Sequence, residues 1–391
     1  MIRRLAHQAD RAHLREVPRV IVAHNPVGPL DDPSTSDVLA QVDLVAGALA
    51  GLGIETTRLP VAGWRIWEDL ATGAPPLAPG SLVFNLVEAP PGVPGVHPAT
   101  AAALELLGLP FSGSSAASLW LTSDKLATRA VLAAEGLPVP AGGRLDESGA
   151  EVLDRVPPPW ILKPAYEDAS LGLDGDAVCA TREAALARAA ALLRRFPGQP
   201  LVVEHYLPGR ELNVSLLAAT EAATTAPMAL PVAEIEFVDF PAGMPRIVGY
   251  EAKWQPESFA YTHTVRRFPQ DAASAPLLEQ AGRLAVAAWR ACGLAGYGRV
   301  DLRLDERGVP HVLEVNANPC LAADAGFMAA AEQAGLGAAE VIARILGAAV
   351  ERHRRLSASA HRPALTPAAE AAAGTGSRGR RASARRLRAV G

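Results

Sequence analysis

From Arg19 onward the chain alternates short apolar runs with stretches of helical period. RVIVAH (19–24), IETTRL (54–59) and SLVFNL (81–86) read as strands. Helices are predicted from about Ser36 to Leu52 and near 98–107. Strands alternating with helices predict a parallel sheet covered on both faces, here an N-terminal α/β subdomain over residues 19–118 after a basic extension at 1–18. Ser123 is read as the cap of the helix SDKLATRAVLAAEG, which closes at Gly136. WILKPA (160–165), DAVCA (176–180), an alanine-rich helix capped by Thr181 and LVVEHYL (201–207) then make a small α+β subdomain over 119–208. A third block, 209–355, opens with ELNVSLLA (211–218), passes through a hairpin at 296–316 and ends in helices near 325–355. Residues 356–391, rich in Ser, Ala, Gly and Arg, are predicted to be disordered.

The hairpin GYGRVDLRLDERGVPHVLEVNANP (296–319) carries the clearest chemistry. Val300, Leu302 and Leu304 alternate with Arg299, Asp301, Arg303 and Asp305, which gives one apolar and one polar face. A turn centred on Glu306 to Val309 sets Asp301 opposite Glu314 and Arg299 opposite Asn316. Two carboxylates directly across a strand pair repel each other. A divalent cation removes that penalty, and two carboxylates beside an Asn oxygen suit magnesium that keeps water and phosphate in its shell. The alternative is an ordinary solvated hairpin face, which the apolar neighbours of Glu314 and Asn316 argue against.

Composition changes the picture in four ways. No apolar run has the length of a bilayer span, and the charges between Met1 and Arg15 are too closely spaced for a signal-peptide core, so a cytosolic protein is expected. Cys179, Cys292 and Cys320 are far apart and read as reduced thiols. The net charge of −4 is uneven: residues 356–391 hold seven arginines and one glutamate, leaving −10 upstream. Only three of the 37 basic residues are lysine, namely Lys125, Lys163 and Lys253. Where lysine survives in such a background, a compact ammonium for phosphate contact is a reason to keep it.

GYGRVDLRLD, a turn and VLEVNANP resemble the metal-binding hairpin of ATP-grasp enzymes. FSGSSAASLWLTSDKLATRAVLAAEGLPVP (111–140), PWILKPAYEDASLG (159–172), LVVEHYLPGRELNVSLL and YEAKW (250–254) follow the order of blocks in the D-alanine:D-alanine ligase branch, and the likeness covers about residues 80–345. The fold so implied is α/β, an ATP-grasp fold preceded by a parallel-sheet subdomain. The resemblance implies ATP held by Lys125, Lys163 and Lys253, with Glu204 on the adenine amino group, the Leu207 backbone N–H on its ring and Glu211 on the ribose. It implies two magnesium ions, or manganese in their place, on Asp301, Glu314 and Asn316. Ser170 would cover the terminal phosphates, Arg299 would stabilise the transition state, and Lys253 would ride on a closing loop. A homodimer is also implied.

The resemblance departs where amino-acid substrates would sit. NLVEAPPGVPGVH (85–97) replaces the His-Gly and Gly-Glu-Asp-Gly loop of that branch, and Asp37 is the nearest candidate for its early acidic residue. Ala169 and Ser170 stand for paired serines, Trp254 for a tyrosine, and Cys320 and Ala325 for residues that hold the second carboxylate. The reading is therefore a ligase joining a carboxylate to an amine through an acyl-phosphate, on an amino acid or small carboxylate. D-alanine:D-alanine ligase itself is the alternative. A non-catalytic nucleotide-binding protein with a nucleic-acid-binding tail is the third reading, opposed by the intact Lys163, Arg299, Asp301 and Glu314 and by a tail without aromatic residues.

Overall fold

The computed structural model describes residues 19–27, 37–61, 81–90, 93–146, 150–219 and 226–360. The predicted extension at 1–18 and the tail beyond Ala360 lie outside the described residues. Strands β1 (Arg19–His24), β2 (Glu55–Pro60) and β3 (Leu82–Leu86) form a parallel sheet of order β2-β1-β3. β3 is buried along its whole length, which is why it reads as an apolar run broken only by Asn85. Helix α1 (Val38–Gly51) lays Val38, Val42, Val45 and Leu49 on this sheet at helical spacing. Helices α2 (Val96–Leu106) and α3 (Ala116–Thr122) follow.

Ser123 does not cap the next helix. It ends α3, and Asp124 caps α4 (Lys125–Ala134) by accepting hydrogen bonds from the N–H groups of Leu126 and Ala127. A carboxylate one residue closer satisfies two of the free amide donors and suits the positive end of the helix.

β4 (Gly142–Leu145), β5 (Trp160–Pro164), β6 (Val178–Cys179) and β7 (Leu201–His205) build an antiparallel sheet of order β4-β7-β5-β6. The alanine-rich helix α5 (Arg182–Arg195), capped by Thr181, packs on it through Ala185, Ala189 and Leu192. The third sheet runs β11-β10-β8-β12-β13, with β8 (Glu211–Leu217), β9 (Met228–Ala229), β10 (Ala233–Phe237), β11 (Thr264–Arg267), β12 (Tyr297–Leu304) and β13 (Pro310–Ala317); β9 pairs with β8. Helix α6 (Ala275–Ala291) buries Ala281, Ala285, Ala288 and Trp289 among Leu212, Val214, Val300 and Leu302. Small residues on that face let the helix come close to the sheet. The last helix, Ala338–Ala360, continues past the predicted boundary at 355.

Candidate functional site

Three strands lay a polar floor. On one side of Asp301 in β12 lies Asn213 of β8, and on the other lies Glu314 of β13; Arg303 faces Glu211, and Arg299 faces Asn316. The expected hairpin pairing therefore holds as far as Asp301, after which a bulge shifts the register so that Leu302 pairs with Val312. The opposite side of these strands is the apolar layer under α6, so the floor cannot turn over without exposing the core. Two of its charged residues are withdrawn from solvent, Asp301 at 8% and Arg303 at 3% exposed, while Arg299, Glu314 and Asn316 are half-buried.

Each carboxylate on the floor has its own cation. Arg299 grips Asp301 with two hydrogen bonds, Nε at 2.7 Å and Nη2 at 2.8 Å. Asn213 and Asn316 donate to the same carboxylate at 2.9 and 3.1 Å. Lys125, the first residue of α4, places Nζ 3.0 Å from Glu314 and 3.1 Å from Asp168, and donates to the Glu167 carbonyl at 2.6 Å. Burial pushes the Glu314 carboxyl up, but Lys125, Lys163 and Lys253 outweigh it and hold the group down at about 2. Burial also raises Glu211, against the pull of Arg303, which lies 3.0 Å away.

Glu204 is buried at the end of β7 between Lys163 Nζ at 2.9 Å and Arg129 Nη1 at 3.0 Å. Lys163 in its apolar strand thus has a partner, which answers the cost of a buried ammonium. Gly142 makes this packing possible: a Cβ there would stand 2.5 Å from the Val203 carbonyl oxygen and 2.7 Å from Cγ of Glu204. In the hinge that follows, Leu207 is buried, and the N–H groups of Tyr206 and Gly209 are bonded to the carbonyls of Pro159 and Leu304.

Two loops close against each other above the floor. Ser170 donates from Oγ to the Val248 carbonyl at 2.8 Å, and Trp254 donates from its indole N–H to the Ala169 carbonyl at 3.0 Å. Ala169 and Ser170 both have positive φ, 53° and 63°, a conformation that costs about 1–2 kcal/mol per residue outside glycine. Lys253 sits beside Trp254 on the short helix Tyr250–Trp254 and is exposed to the cleft, where desolvation and Arg299 lower its pKa.

Beside this assembly, at the C-terminal edge of the parallel sheet, lies Glu88. Gln41 donates to its carboxylate at 2.7 Å, and Asn25 both donates to and accepts from its backbone. Burial, with Asp37 and Asp168 acting in the same direction against Gln41, raises its carboxyl to about 7. Asp37 precedes α1 and accepts from Cys320 Sγ at 3.0 Å.

The structure thus gathers Lys125, Arg299, Asp301, Glu314 and Asn316 at the hairpin, Lys163 with Glu204 at the hinge, Glu211 at the end of β8, and Ser170 and Lys253 on the two loops. Sequence reading missed Arg129, Asn213, Arg303 and Glu88. Arg129 was within reach, being one helical turn from Lys125 on the same face. Asn213 and Arg303 needed the β8–β12 register, which no local pattern supplies.

A carboxylate hairpin beneath two converging loops, flanked by a lysine-bearing sheet and its hinge, is the arrangement of the ATP-grasp ligases. The D-ala D-ala ligase C-terminus family matches residues 142–347. An uncharacterized protein, y4sG, of Sinorhizobium fredii is 34% identical over 72% of this chain and 77% of its own. The D-alanine–D-alanine ligase of Bordetella avium is 32% identical over 62% of this chain and 71% of its own. Among solved structures, the D-alanine–D-alanine ligase from Bacillus anthracis complexed with ATP superposes with a TM-score of 0.67 at 19% identity, over 86% of this chain and 99% of that one. This chain belongs to the D-alanine–D-alanine ligase family and is an ADP-forming ATP-grasp ligase.

Proposed function

We propose that the chain phosphorylates a carboxylate with ATP and joins the resulting acyl-phosphate to an amine, on a substrate pair other than two D-alanines. The observation that carries this reading is the convergence of Lys125 and Arg299 on the Glu314 and Asp301 carboxylates, with Lys163 and Lys253 acting on the same Glu314. Such a ring of fixed charges suits phosphoryl transfer, which depends on positioning and neutralisation rather than on covalent chemistry by the protein. In this reading Lys125 and Lys163 hold the phosphates, Glu204 and the Leu207 N–H meet the adenine, and Glu211 takes the ribose. Ser170 covers the terminal phosphates. Arg299 stabilises the oxyanion formed when the amine attacks, and Lys253 closes over the acyl-phosphate and keeps water from it.

Magnesium fits the donor set in a restricted sense. Among the described residues no group of three His, Cys, Asp or Glu converges, so these residues by themselves offer no closed cage. Asp301, Glu314 and Asn316 suit an ion that takes one or two carboxylates and completes its shell with water and phosphate oxygens. Bound there with the nucleotide, it would neutralise charge on the transferred phosphoryl group.

The substrate side supports a departure from D-alanine. Ala169 and Ala325 offer no hydroxyl, and Cys320 occupies Asp37 with its own hydrogen bond. D-alanyl-D-alanine synthesis is the second reading, favoured by the names of the relatives. ADP release measured across a matrix of D- and L-amino acids and small carboxylic acids separates the two. The expected result is slow release with D-alanine alone and faster release with another pair. Turnover with D-alanine on the order of 10 per second would overturn the departure. The cytosolic location, the homodimer and a dispensable tail remain part of this proposal.

A further inference from the structure

Arg303 has no place in the reaction just described, yet it is among the most enclosed charged residues of the protein. Its guanidinium ties four segments together. Nη1 donates to Oε2 of Glu211 at 3.0 Å, and Nη2 donates to the Tyr206 hydroxyl at 3.1 Å and to the Arg246 carbonyl. The Tyr206 and Phe237 rings stand 5.0 and 5.5 Å from its central carbon. Its Nε is buried with no acceptor among the described residues. An apolar side chain of similar length would fill the space between the two aromatic rings but would leave the buried Glu211 carboxylate without its cation, which is strongly destabilising. Stability therefore gives one reason for an arginine here.

The geometry gives another. Arg303 lies directly opposite Glu211 across β8 and β12 and bonds only one of its two carboxylate oxygens. Tyr206, which it also holds, begins the hinge that contains Leu207. We propose that Arg303 is a positioning and specificity-determining residue for the nucleotide sugar: by fixing Oε2 of Glu211 it aims the other oxygen at the sugar hydroxyls. This rests on the reading of Glu211 as the ribose ligand. Arg303 acts through Glu211, not on the reacting atoms.

The test is equilibrium binding, by calorimetry on the full chain, of ATP and of 2′,3′-dideoxy-ATP, which lacks the hydroxyls that Glu211 would accept. The wild-type chain is expected to bind ATP about tenfold more tightly, a ratio equivalent to about 1.4 kcal/mol. Arg303→Met is expected to bring that ratio close to one while dideoxy-ATP binding changes no more than about twofold. Arg303→Lys, which keeps the charge but loses the fork, is expected to give an intermediate ratio and serves if the methionine variant fails to fold. Glu211→Ala, which leaves no acceptor, separates the two claims. If it abolishes the preference while both Arg303 variants keep the wild-type ratio, the positioning role is overturned and the ribose reading stands. If the preference is absent in the wild type or survives in Glu211→Ala, the ribose reading falls and the role of Arg303 falls with it.

Discussion

Glu314 on the hairpin and Glu88 at the edge of the parallel sheet are both withdrawn from water, and burial pushes both carboxyls up. At Glu314 three lysines reverse the effect, and the group is held at about 2. At Glu88 the neighbours are Asp37 and Asp168, which add to the effect, and an uncharged Gln41 opposes it incompletely. The same side chain in two half-buried places thus ends as a firm anion in one and as a group near 7 in the other. The difference lies in who supplies the countercharge. The hairpin end carries its cations with it, on α4, β5 and the loop helix, so its field exists before any ligand arrives. Among the described residues, the sheet edge has the acid without the cation. The two ends are coupled through Asp168, which bonds Lys125 and acts on Glu88 at longer range.

Breaking the strong end should have the largest effect. Glu314→Gln removes one of the two carboxylate partners of Lys125 and one of the two hairpin carboxylates, and ADP release should fall by about 10² to 10³-fold, the scale of losing a preorganised charge in a closed site. Circular dichroism should show an unchanged fold. Full turnover at saturating magnesium and ATP would mean that the hairpin is not where phosphoryl transfer is organised.

The weak end should show itself in stability. A folded-state pKa near 7, above the ordinary 4.5, means that the folded chain keeps a proton that the unfolded chain gives up. This contribution is fully present below pH 4.5 and is lost as pH rises through 7. Glu88→Gln should remove that slope, so that its stability relative to wild type rises by about 3.5 kcal/mol between pH 4 and pH 8, at about 1.4 kcal/mol per pKa unit. His97, which burial lowers to about 4, acts in the other direction, since its share is lost as pH falls below 6.5. The difference between wild type and Glu88→Gln in thermal unfolding across pH 4 to 8 therefore isolates Glu88. Parallel curves for the two chains would show that the sheet edge supplies a countercharge after all.

The smallest effect is expected between the ends, where Trp254 bonds the Ala169 carbonyl. Trp254→Phe keeps the ring but loses one neutral hydrogen bond, worth about 1 kcal/mol net. The ratio of ADP formed to amide formed should rise by up to about fivefold as water reaches the intermediate, with ATP binding unchanged. A ratio that stays at the wild-type value would show that the indole only packs the loop.

Much of this protein was legible in the chain. Strand and helix alternation marked the parallel sheet, because a strand buried on both faces reads as an unbroken apolar run and its crossover helix as a 3.6-residue period. The turn at Glu306 to Val309 marked the hairpin and brought Asp301 near Glu314, because a hairpin register is largely local, although a bulge after Asp301 completes the pairing. The scarcity of lysine singled out Lys125, Lys163 and Lys253, since a residue kept against a strong compositional bias has a reason to stay. Local patterns could not say that the polar face of β12 lies enclosed. Its alternation is that of a solvated hairpin, and only the arrival of β8 and the two loops turns Arg303 from a surface charge into a buried one. Glu88 was equally silent, because its state depends on Gln41, Asp37 and Asp168, which the chain brings together from distant segments. The sequence by itself determined which residues carry charge and which short-range pairs they form. Only the tertiary structure decided which of those charges lose water and which meet a partner, because desolvation and countercharge are set by neighbours distant in the chain.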